Sequence, residues 1–196
     1  MMKILFLHGF TSSGQCEIAK TLQLELKGMA EVITPDLPLF PEDAITLVDR
    51  ICQEHKPQII VGSSCGAFYA QMFANTSRNV ILVNPFFLMS EFLEPRIGRH
   101  IYKSPRTDGQ QEFEITPALI EHFKRIEQKQ FANYSPKNKP YVYGLFGKQD
   151  TLAHFCSLYE SCYSNVIEFD GGHTMSAENV SRDLVPLIKE IGIQTY

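Results

Sequence analysis

The residues most suited to chemistry in this chain lie at positions 62–66, with the sequence GSSCG. This segment follows an apolar run at residues 59–61 and precedes a helix-like run that begins at Ala67. A Gly-x-Ser-x-Gly pattern between a strand and a helix is typical of a nucleophile elbow, a tight turn that lifts the serine hydroxyl above a sheet. Because only Ser64 has glycine two positions away on both sides, the pattern favours Ser64 as the nucleophile.

A serine hydroxyl becomes a useful nucleophile when a general base accepts its proton and a carboxylate orients that base. After an elbow of this kind, the acid and then the histidine are expected further along the chain, each following a strand. Asp150 follows a predicted strand at residues 141–146, and His173 follows one at residues 165–169. The sequence therefore predicts a catalytic triad of Ser64, Asp150 as the orienting acid and His173 as the base.

Each partner also has a structural explanation when it is taken alone. Asp150 is a suitable N-cap for a helix beginning at Thr151, and His173 is a plausible loop histidine held by the glycines at 171–172. Asp170 is a rival acid because it too ends a strand, but it lies only three residues from the histidine. Ser64, Asp150 and His173 occur in the expected order along the chain, each at the elbow or after a strand. This order favours the triad.

An oxyanion hole needs backbone N–H groups aimed at the charge that develops on the substrate. The sequence predicts one from Cys65, directly after the nucleophile, and a second from Phe10, in the loop at residues 8–14 after the first strand. His8 is a possible competing base, but we expect its ring to hold this loop rigid. The Cys65 thiol is expected to point into the core and to serve only in packing.

Bulk composition limits the class of protein. The chain has 196 residues, 44% of them hydrophobic and 20% charged, with a net charge of −4, which favours one globular domain and argues against nucleic-acid binding. Five cysteines without a CxxC pair and six histidines without a cluster predict reduced thiols and no metal site. No run is long enough to span a membrane and no signal peptide is recognisable, so we expect a cytoplasmic protein without a membrane partner.

Short apolar segments alternate with helical patterns from end to end, which predicts a parallel sheet with helices on both faces. The strands are predicted at residues 3–7, 31–34, 58–61, 79–83, 141–146 and 165–169. The helices are predicted at residues 15–28, 41–54, 66–75, 118–129, 152–162 and 177–191. Pro186 lies inside the last helix and is expected to kink or break it.

Residues 85–140 interrupt the alternation, because no strand is predicted there. A helix is predicted at 118–129, with Thr116 as its N-cap and Pro117 at its first position. A long excursion in a compact domain is commonly functional, so we expect a helical cap between the fourth and fifth strands. An ordinary crossover helix with a surface excursion is the alternative. The candidate pocket residues, each also a plausible core residue, are Phe10, Phe86, Phe87 and Met89.

Four motifs together resemble the α/β-hydrolase superfamily, namely residues 8–10 (HGF), 62–66, 147–150 (GKQD) and 171–173 (GGH). The small size and the opening loop are similar to compact bacterial YqiA-like esterases. The resemblance implies a single domain over residues 1–196, a three-layer sandwich of about six parallel strands in the order 2-1-3-4-5-6.

For function, the resemblance implies a cofactor-free serine hydrolase that forms an acyl-enzyme from a small ester or thioester. The same triad would also serve an amidase, a peptidase, a lactonase or an acyltransferase, because fold and triad do not choose between these. A binding protein that keeps the fold is a further alternative. The sequence leaves the physiological substrate and the oligomeric state open.

Overall fold

The computed structural model describes residues 1–194 and contains eight strands. They are β1 (Met2–Leu7), β2 (Ala30–Ile33), β3 (Ile59–Ser63), β4 (Asn79–Val83), β5 (Gly98–Ile101), β6 (Glu112–Ile115), β7 (Val142–Gly147) and β8 (Asn165–Phe169). Six of them form a parallel sheet in the order β2-β1-β3-β4-β7-β8. Counted along the sheet-forming strands, this is the predicted order 2-1-3-4-5-6.

Eight α-helices accompany the strands within the described residues. They are α1 (Glu17–Glu25), α2 (Pro41–His55), α3 (Cys65–Gln71), α4 (Met89–Leu93), α5 (Pro117–Glu127), α6 (Cys156–Glu160), α7 (Ala177–Asn179) and α8 (Val185–Gln194). Helices α1, α3 and α6 are clearly shorter than predicted, and α3 ends at residue 71 rather than 75. Helix α1 ends before a turn that contains Gly28 at φ +82°, and α6 begins at residue 156 rather than 152.

The sheet is covered on both faces, and successive residues of β1 show why. Ile4 and Phe6 pack into one apolar cluster, with helices α1 and α8, whereas Leu5 and Leu7 pack into the other, with α2, α3 and α5. Side chains alternate across a strand, so a sheet buried on both faces needs continuous apolar runs rather than alternating ones. This requirement explains the uniformly apolar strands of the sequence.

The C-terminal helical segment continues through Pro186 without a break. Helix α7 continues into a π-helical segment, Val180–Leu184, and then directly into α8. Proline lacks an N–H and its ring crowds the carbonyl four residues earlier, at residue 182. That carbonyl lies in the wider π-helical turn, so the predicted kink appears as a local π-helical segment.

The insertion between β4 and β7 contains two strands where the sequence predicted none. Strands β5 and β6 pair as an antiparallel hairpin, with Arg99 opposite Glu114. Along β6, Phe113 and Ile115 are buried and their neighbours are exposed, the alternation of a half-buried strand. Four residues are too short a run to be recognised by periodicity alone, so the expectation of an insertion without strands was wrong.

The helix of the insertion begins as predicted, because the Thr116 hydroxyl accepts a hydrogen bond from the Leu119 N–H at 3.2 Å.

The insertion is attached at the carboxyl edge of the sheet. Asp36, in the loop after β2, accepts hydrogen bonds from the backbone N–H groups of Gly14 at 2.8 Å and Thr107 at 2.6 Å. The Lys103 N–H donates to the Thr11 carbonyl at 2.8 Å. Burial tends to raise the pKa of Asp36, but hydrogen bonds from Thr107 and Gly14 outweigh it and leave this pKa below its usual value.

Replacing Asp36 by alanine should loosen this attachment. Because two backbone N–H groups and the Thr107 hydroxyl lose their acceptor, we expect the free energy of unfolding to fall by about 1–3 kcal/mol. Urea denaturation measures the change, and limited proteolysis should show faster cleavage near residues 103–111. The control is Asp49→Ala, an exposed carboxylate on α2 that accepts only from Gln53. Equal losses in the two variants would contradict the assigned role of Asp36.

Candidate active site

The turn that presents Ser64 is conformationally strained. Ser64 has φ 55° and ψ −116°, between the end of β3 and the start of α3. A non-glycine residue with such a φ costs on the order of 1–3 kcal/mol and persists only where its surroundings impose it. Here the Ser64 N–H donates to the Val83 carbonyl at 2.9 Å, and the Ser64 carbonyl accepts from Ala67 at 3.0 Å.

The two glycines of the motif allow close approach of backbone segments. A Cβ at Gly62 would overlap the Gly66 carbonyl and the backbone of Ala67. A Cβ at Gly66 would overlap the Leu7 carbonyl of the neighbouring strand β1. The glycines therefore let α3 begin directly against β1 and β3, which fixes where Ser64 stands above the sheet.

The structure brings the three predicted triad residues together in one hydrogen-bonded chain. The Ser64 Oγ lies 2.8 Å from the His173 Nε2, and the His173 Nδ1 lies 2.8 Å from the Asp150 Oδ2. The Asp150 side chain is only 4% exposed and that of His173 is 18% exposed. A carboxylate in this position favours the tautomer with the proton on Nδ1, which leaves Nε2 free to accept the serine proton.

The alternative explanation of Asp150 as the N-cap of a helix at Thr151 is wrong, because the helix begins only at residue 156, but the side chain does cap a local turn. Its second oxygen, Oδ1, accepts from the Leu152 N–H at 2.8 Å and the Ala153 N–H at 3.0 Å. These bonds fix the orientation of the carboxylate, so the local turn holds its other oxygen, Oδ2, in contact with His173. The rival Asp170 is exposed and accepts instead from the Gln149 side chain at 2.7 Å.

The loop after β1 lies against the elbow. A Cβ added to Gly9 would be 3.6 Å from the Ser64 Cβ, which places the predicted oxyanion donor Phe10 one residue further along this loop. Within residues 1–194, neither the Phe10 N–H nor the Cys65 N–H donates to a protein acceptor. Both donors are therefore available to a substrate oxygen.

His8 is locked beneath the loop. Its Nε2 accepts from the Leu37 N–H at 2.9 Å, so its Nδ1 carries the proton and donates to the Gly9 carbonyl at 2.8 Å. The side chain is buried, and this burial lowers the pKa of His8 from 6.5 to about 4. A neutral imidazole with both nitrogens engaged is a structural support for the loop rather than a base.

The Cys65 side chain is placed in the core, as the sequence predicted. It is 2% exposed, and its burial raises the pKa of the thiol to about 12. A thiol with such a pKa is not ionised near neutral pH and is a poor nucleophile. The contribution of Cys65 to the site is therefore its backbone N–H.

A cleft of about 530 Å³ opens beside Ser64 and His173. Three of the four candidate pocket residues line it, namely Phe10, Phe86 and Met89. Phe87 does not; it is 1% exposed and packs its ring against Phe131, with centroids 5.0 Å apart. The structure therefore corrects the expectation for Phe87, which is a core residue.

The sequence also missed part of the lining. Arg96, His100, Lys103 and Ile115 reach the cleft from the hairpin and its flanks. No local pattern could have placed them there, because their position depends on how the insertion docks on the sheet.

Asn84, the residue directly after β4, is a further polar residue that the sequence reasoning missed. Its side chain is buried and contacts the backbone of the loops that carry Asp150 and His173. The signal that could have found it is a polar residue following a buried strand at the carboxyl edge of a parallel sheet, where ligand and catalytic groups of such sheets collect.

Neither a metal site nor a membrane span is evident in the part of the chain that the structure describes. Among residues 1–194, no three His, Cys, Asp or Glu side chains cluster closely enough to hold a metal ion. No helix in this range is both long and apolar enough to cross a membrane.

Sheet order, helices on both faces and the elbow together define an α/β-hydrolase fold. The mouse alpha/beta hydrolase domain-containing protein 10 has a similar structure, with a TM-score of 0.71 and 15% sequence identity over 99% of this chain and 90% of that chain. Est1E from Butyrivibrio proteoclasticus is also similar, with a TM-score of 0.68 and 13% identity over 98% of this chain and 88% of that chain. At these identities the likeness shows the fold alone.

Residues 3–190 match the uncharacterised protein family UPF0227, and the chain belongs to that family. This is the YqiA-like family that the opening loop and the small size predicted.

Protonation of His8 should make the fold less stable in mild acid. The folded state keeps His8 neutral until its pKa of about 4, whereas the unfolded chain binds the proton below about 6.5. The contribution of neutral His8 to the free energy of unfolding is therefore fully present above pH 6.5 and is lost as the pH falls towards 4. The loss reaches about 3 kcal/mol, because a tenfold difference in proton affinity is worth about 1.4 kcal/mol. Urea denaturation across this range measures the loss. His8→Gln should show a flatter pH dependence, and equal slopes would contradict the assignment.

Introducing a methyl group at Gly66 should damage the elbow. Because the new Cβ would overlap the Leu7 carbonyl, we expect Gly66→Ala to lower the free energy of unfolding by about 3 kcal/mol or more. Thermal denaturation provides the measurement. Gly192→Ala is the matched control, since its Cβ would meet only the flexible end of the Met2 side chain, 3.0 Å away. A Gly66→Ala protein as stable as the control would mean that α3 is not held against β1 as described.

Proposed function

We propose that this chain is a serine hydrolase that cleaves a small carboxylic ester or thioester through an acyl-enzyme. The observation that carries the proposal is the continuous chain of hydrogen bonds from Ser64 through His173 to Asp150, at 2.8 Å for each contact. A serine on a strained elbow, a histidine within hydrogen-bond reach and a buried carboxylate are the parts that acyl transfer requires.

In the proposed mechanism, the Ser64 Oγ attacks the carbonyl carbon while the His173 Nε2 takes its proton. Asp150 holds the imidazole in the tautomer that accepts this proton and then stabilises the imidazolium. His173 next gives the proton to the departing alcohol or thiol. Water activated by His173 hydrolyses the acyl-enzyme and regenerates Ser64.

The proposed oxyanion hole consists of the Phe10 and Cys65 backbone N–H groups. Its support is that both lie beside Ser64 and that neither has a protein acceptor within the described residues. Preorganised donors of this kind typically contribute 10²–10³-fold each to the rate.

For the acyl group, the proposed binding site is the cleft lined by Phe10, Phe86 and Met89, together with the basic residues Arg96 and Lys103. Its volume of about 530 Å³ is in the range of small-molecule sites. Residues 85–140 would then act as a cap of a single domain, since they supply a large share of the residues that line the cleft. We also propose a cytoplasmic location, because all five cysteines are free and such thiols persist in a reducing compartment.

An amidase, a peptidase, a lactonase or an acyltransferase would use the same hydrogen-bonded chain, so the geometry alone does not separate these chemistries. Matched ester, thioester and amide substrates with the same acyl group separate them. A binding protein that has kept the fold is distinguished by labelling with a fluorophosphonate, which reacts only with an activated serine.

Hydrolysis of p-nitrophenyl acetate, butyrate and octanoate tests the proposal. Removal of the nucleophile in Ser64→Ala should lower kcat by on the order of 10⁴-fold or more, with a similar loss for Asp150→Asn, in which the histidine loses its orienting carboxylate. Asp170→Asn is the control and should keep wild-type activity, because its carboxylate faces Gln149 rather than His173. The chain-length profile of the wild type reports the size of the acyl site.

The outcomes separate the hypotheses clearly. A wild-type protein inert to esters, thioesters and amides, and not labelled by a fluorophosphonate, would exclude the hydrolase. Equal activity of wild type and Ser64→Ala would place the reacting group elsewhere.

A further inference from the structure

The side chain of Asn84 joins the two loops that carry the partners of Ser64. Its Nδ2 donates to the Gly172 carbonyl at 2.9 Å and to the His173 carbonyl at 2.8 Å. Its Oδ1 accepts from the Gly147 N–H at 2.7 Å. The Gly147 carbonyl in turn accepts from the Asp150 N–H at 3.0 Å. The Asn84 carboxamide therefore fixes the backbone at His173 relative to the backbone that leads to Asp150.

The residues on either side of Asn84 form hydrogen bonds with Ser64, the third member of the triad. The Val83 carbonyl accepts from the Ser64 N–H at 2.9 Å, and the Phe86 N–H donates to the Ser64 carbonyl at 3.3 Å. Residues 83–86 thus form the shared backbone connection of the nucleophile, acid and base.

The local conformation of Asn84 fits this role. The residue is 1% exposed and has φ 41°, in a left-handed region that asparagine tolerates better than most residues. Its backbone N–H donates to the Leu145 carbonyl at 2.8 Å. A carboxamide offers one acceptor and two donors, and here all three are used on backbone groups.

We infer that Asn84 is a positioning residue for the proposed reaction, and the inference rests on that proposed function. Asn84 does not touch the reacting atoms. It sets the placement of the His173 ring between Ser64 and Asp150 by holding the His173 carbonyl. A displacement of about 1 Å at a reacting group can cost on the order of 10²-fold in rate, so the loss of this restraint should affect the chemical step.

The test compares two isosteric substitutions. Asn84→Asp keeps an oxygen for the Gly147 N–H and removes the amide that serves the two carbonyls. Asn138→Asp is the matched control, because Asn138 is also buried and has the same pattern, accepting from Ser135 and donating to Ala74 and Asn133. Within residues 1–194, Asn138 forms no hydrogen bond to the loops that carry the triad. Both variants should lose stability, whereas only Asn84→Asp should lose catalytic rate.

For Asn84→Asp we expect kcat to fall by about 10- to 100-fold with KM within about threefold of wild type, since substrate binding is unchanged and only the chemical geometry is altered. Asn138→Asp should keep kcat within about twofold. Both are assayed at a temperature where circular dichroism shows them folded. Asn84→Ala is a second variant, which adds no carboxylate and should show the same separation of kcat from KM. Equal kcat values for Asn84→Asp and Asn138→Asp would overturn the inference.

Nuclear magnetic resonance of the histidine rings provides a readout that needs no turnover. The Nδ1 proton of His173, assigned with His173→Gln, should give a downfield resonance in wild type and Asn138→Asp that is lost or shifted in Asn84→Asp. An unchanged resonance in folded Asn84→Asp would overturn the positioning role. If the wild type shows the resonance but hydrolyses no substrate, the proposed function fails while the positioning inference is still decided by this measurement.

Discussion

The close approach of helix α3 to strands β1 and β3 is the constraint on which the site depends. Gly62 and Gly66 leave no Cβ between the helix and the strands, and Ser64 takes a backbone conformation that is unfavourable by itself. The hydrogen bond from the Ser64 N–H to strand β4 and the bond from Ala67 of α3 to the Ser64 carbonyl hold this conformation in place. Without that approach, the hydroxyl would not project towards His173, and the loop after β1 would have no fixed neighbour.

Polar groups buried beneath the site are each fully engaged, which gives the loops their fixed positions. His8 uses both ring nitrogens on backbone groups, and the Asn84 carboxamide uses its acceptor and both of its donors on backbone groups. Buried polar groups are costly when they lack partners, so each of these arrangements tolerates little movement. The strand-end loops are consequently held by side-chain bonds to backbone rather than by packing alone.

The insertion couples the cleft to the same loops. Phe10, the proposed oxyanion residue, places its ring against Phe113 of β6 and Phe123 of α5, with centroids 5.5 and 5.9 Å apart. Asp36 and the Thr11 carbonyl accept hydrogen bonds from Thr107 and Lys103, in the segment that connects β5 and β6. A change in the insertion would therefore affect both the shape of the cleft and the loop that carries an oxyanion donor. In the proposed hydrolase, this arrangement would link substrate choice to the catalytic geometry.

Local sequence patterns were sufficient for the elements of the sheet, whereas the order of its strands was implied by the resemblance to α/β hydrolases. Asn79–Val83 and Asn165–Phe169 have the predicted bounds, because a strand buried on both faces is a short apolar run limited by polar residues. The hairpin of β5 and β6 was missed, since four half-buried residues give too weak a pattern. Phe87 was misplaced for a related reason, because an aromatic residue after a strand suits a core and a pocket equally well.

The sequence by itself determined the chemical groups and their order along the chain, because the elbow glycines and the polar residues after strands are local requirements of a parallel sheet. It named Ser64, Asp150 and His173, and the choice of Asp150 over Asp170 rested on position alone. Only the tertiary structure decided which carboxylate faces His173, which aromatic rings line the cleft and which residue joins the loops. Those outcomes depend on contacts between segments up to 109 residues apart, as in the bond from Ser64 to His173, and no local pattern encodes such distances.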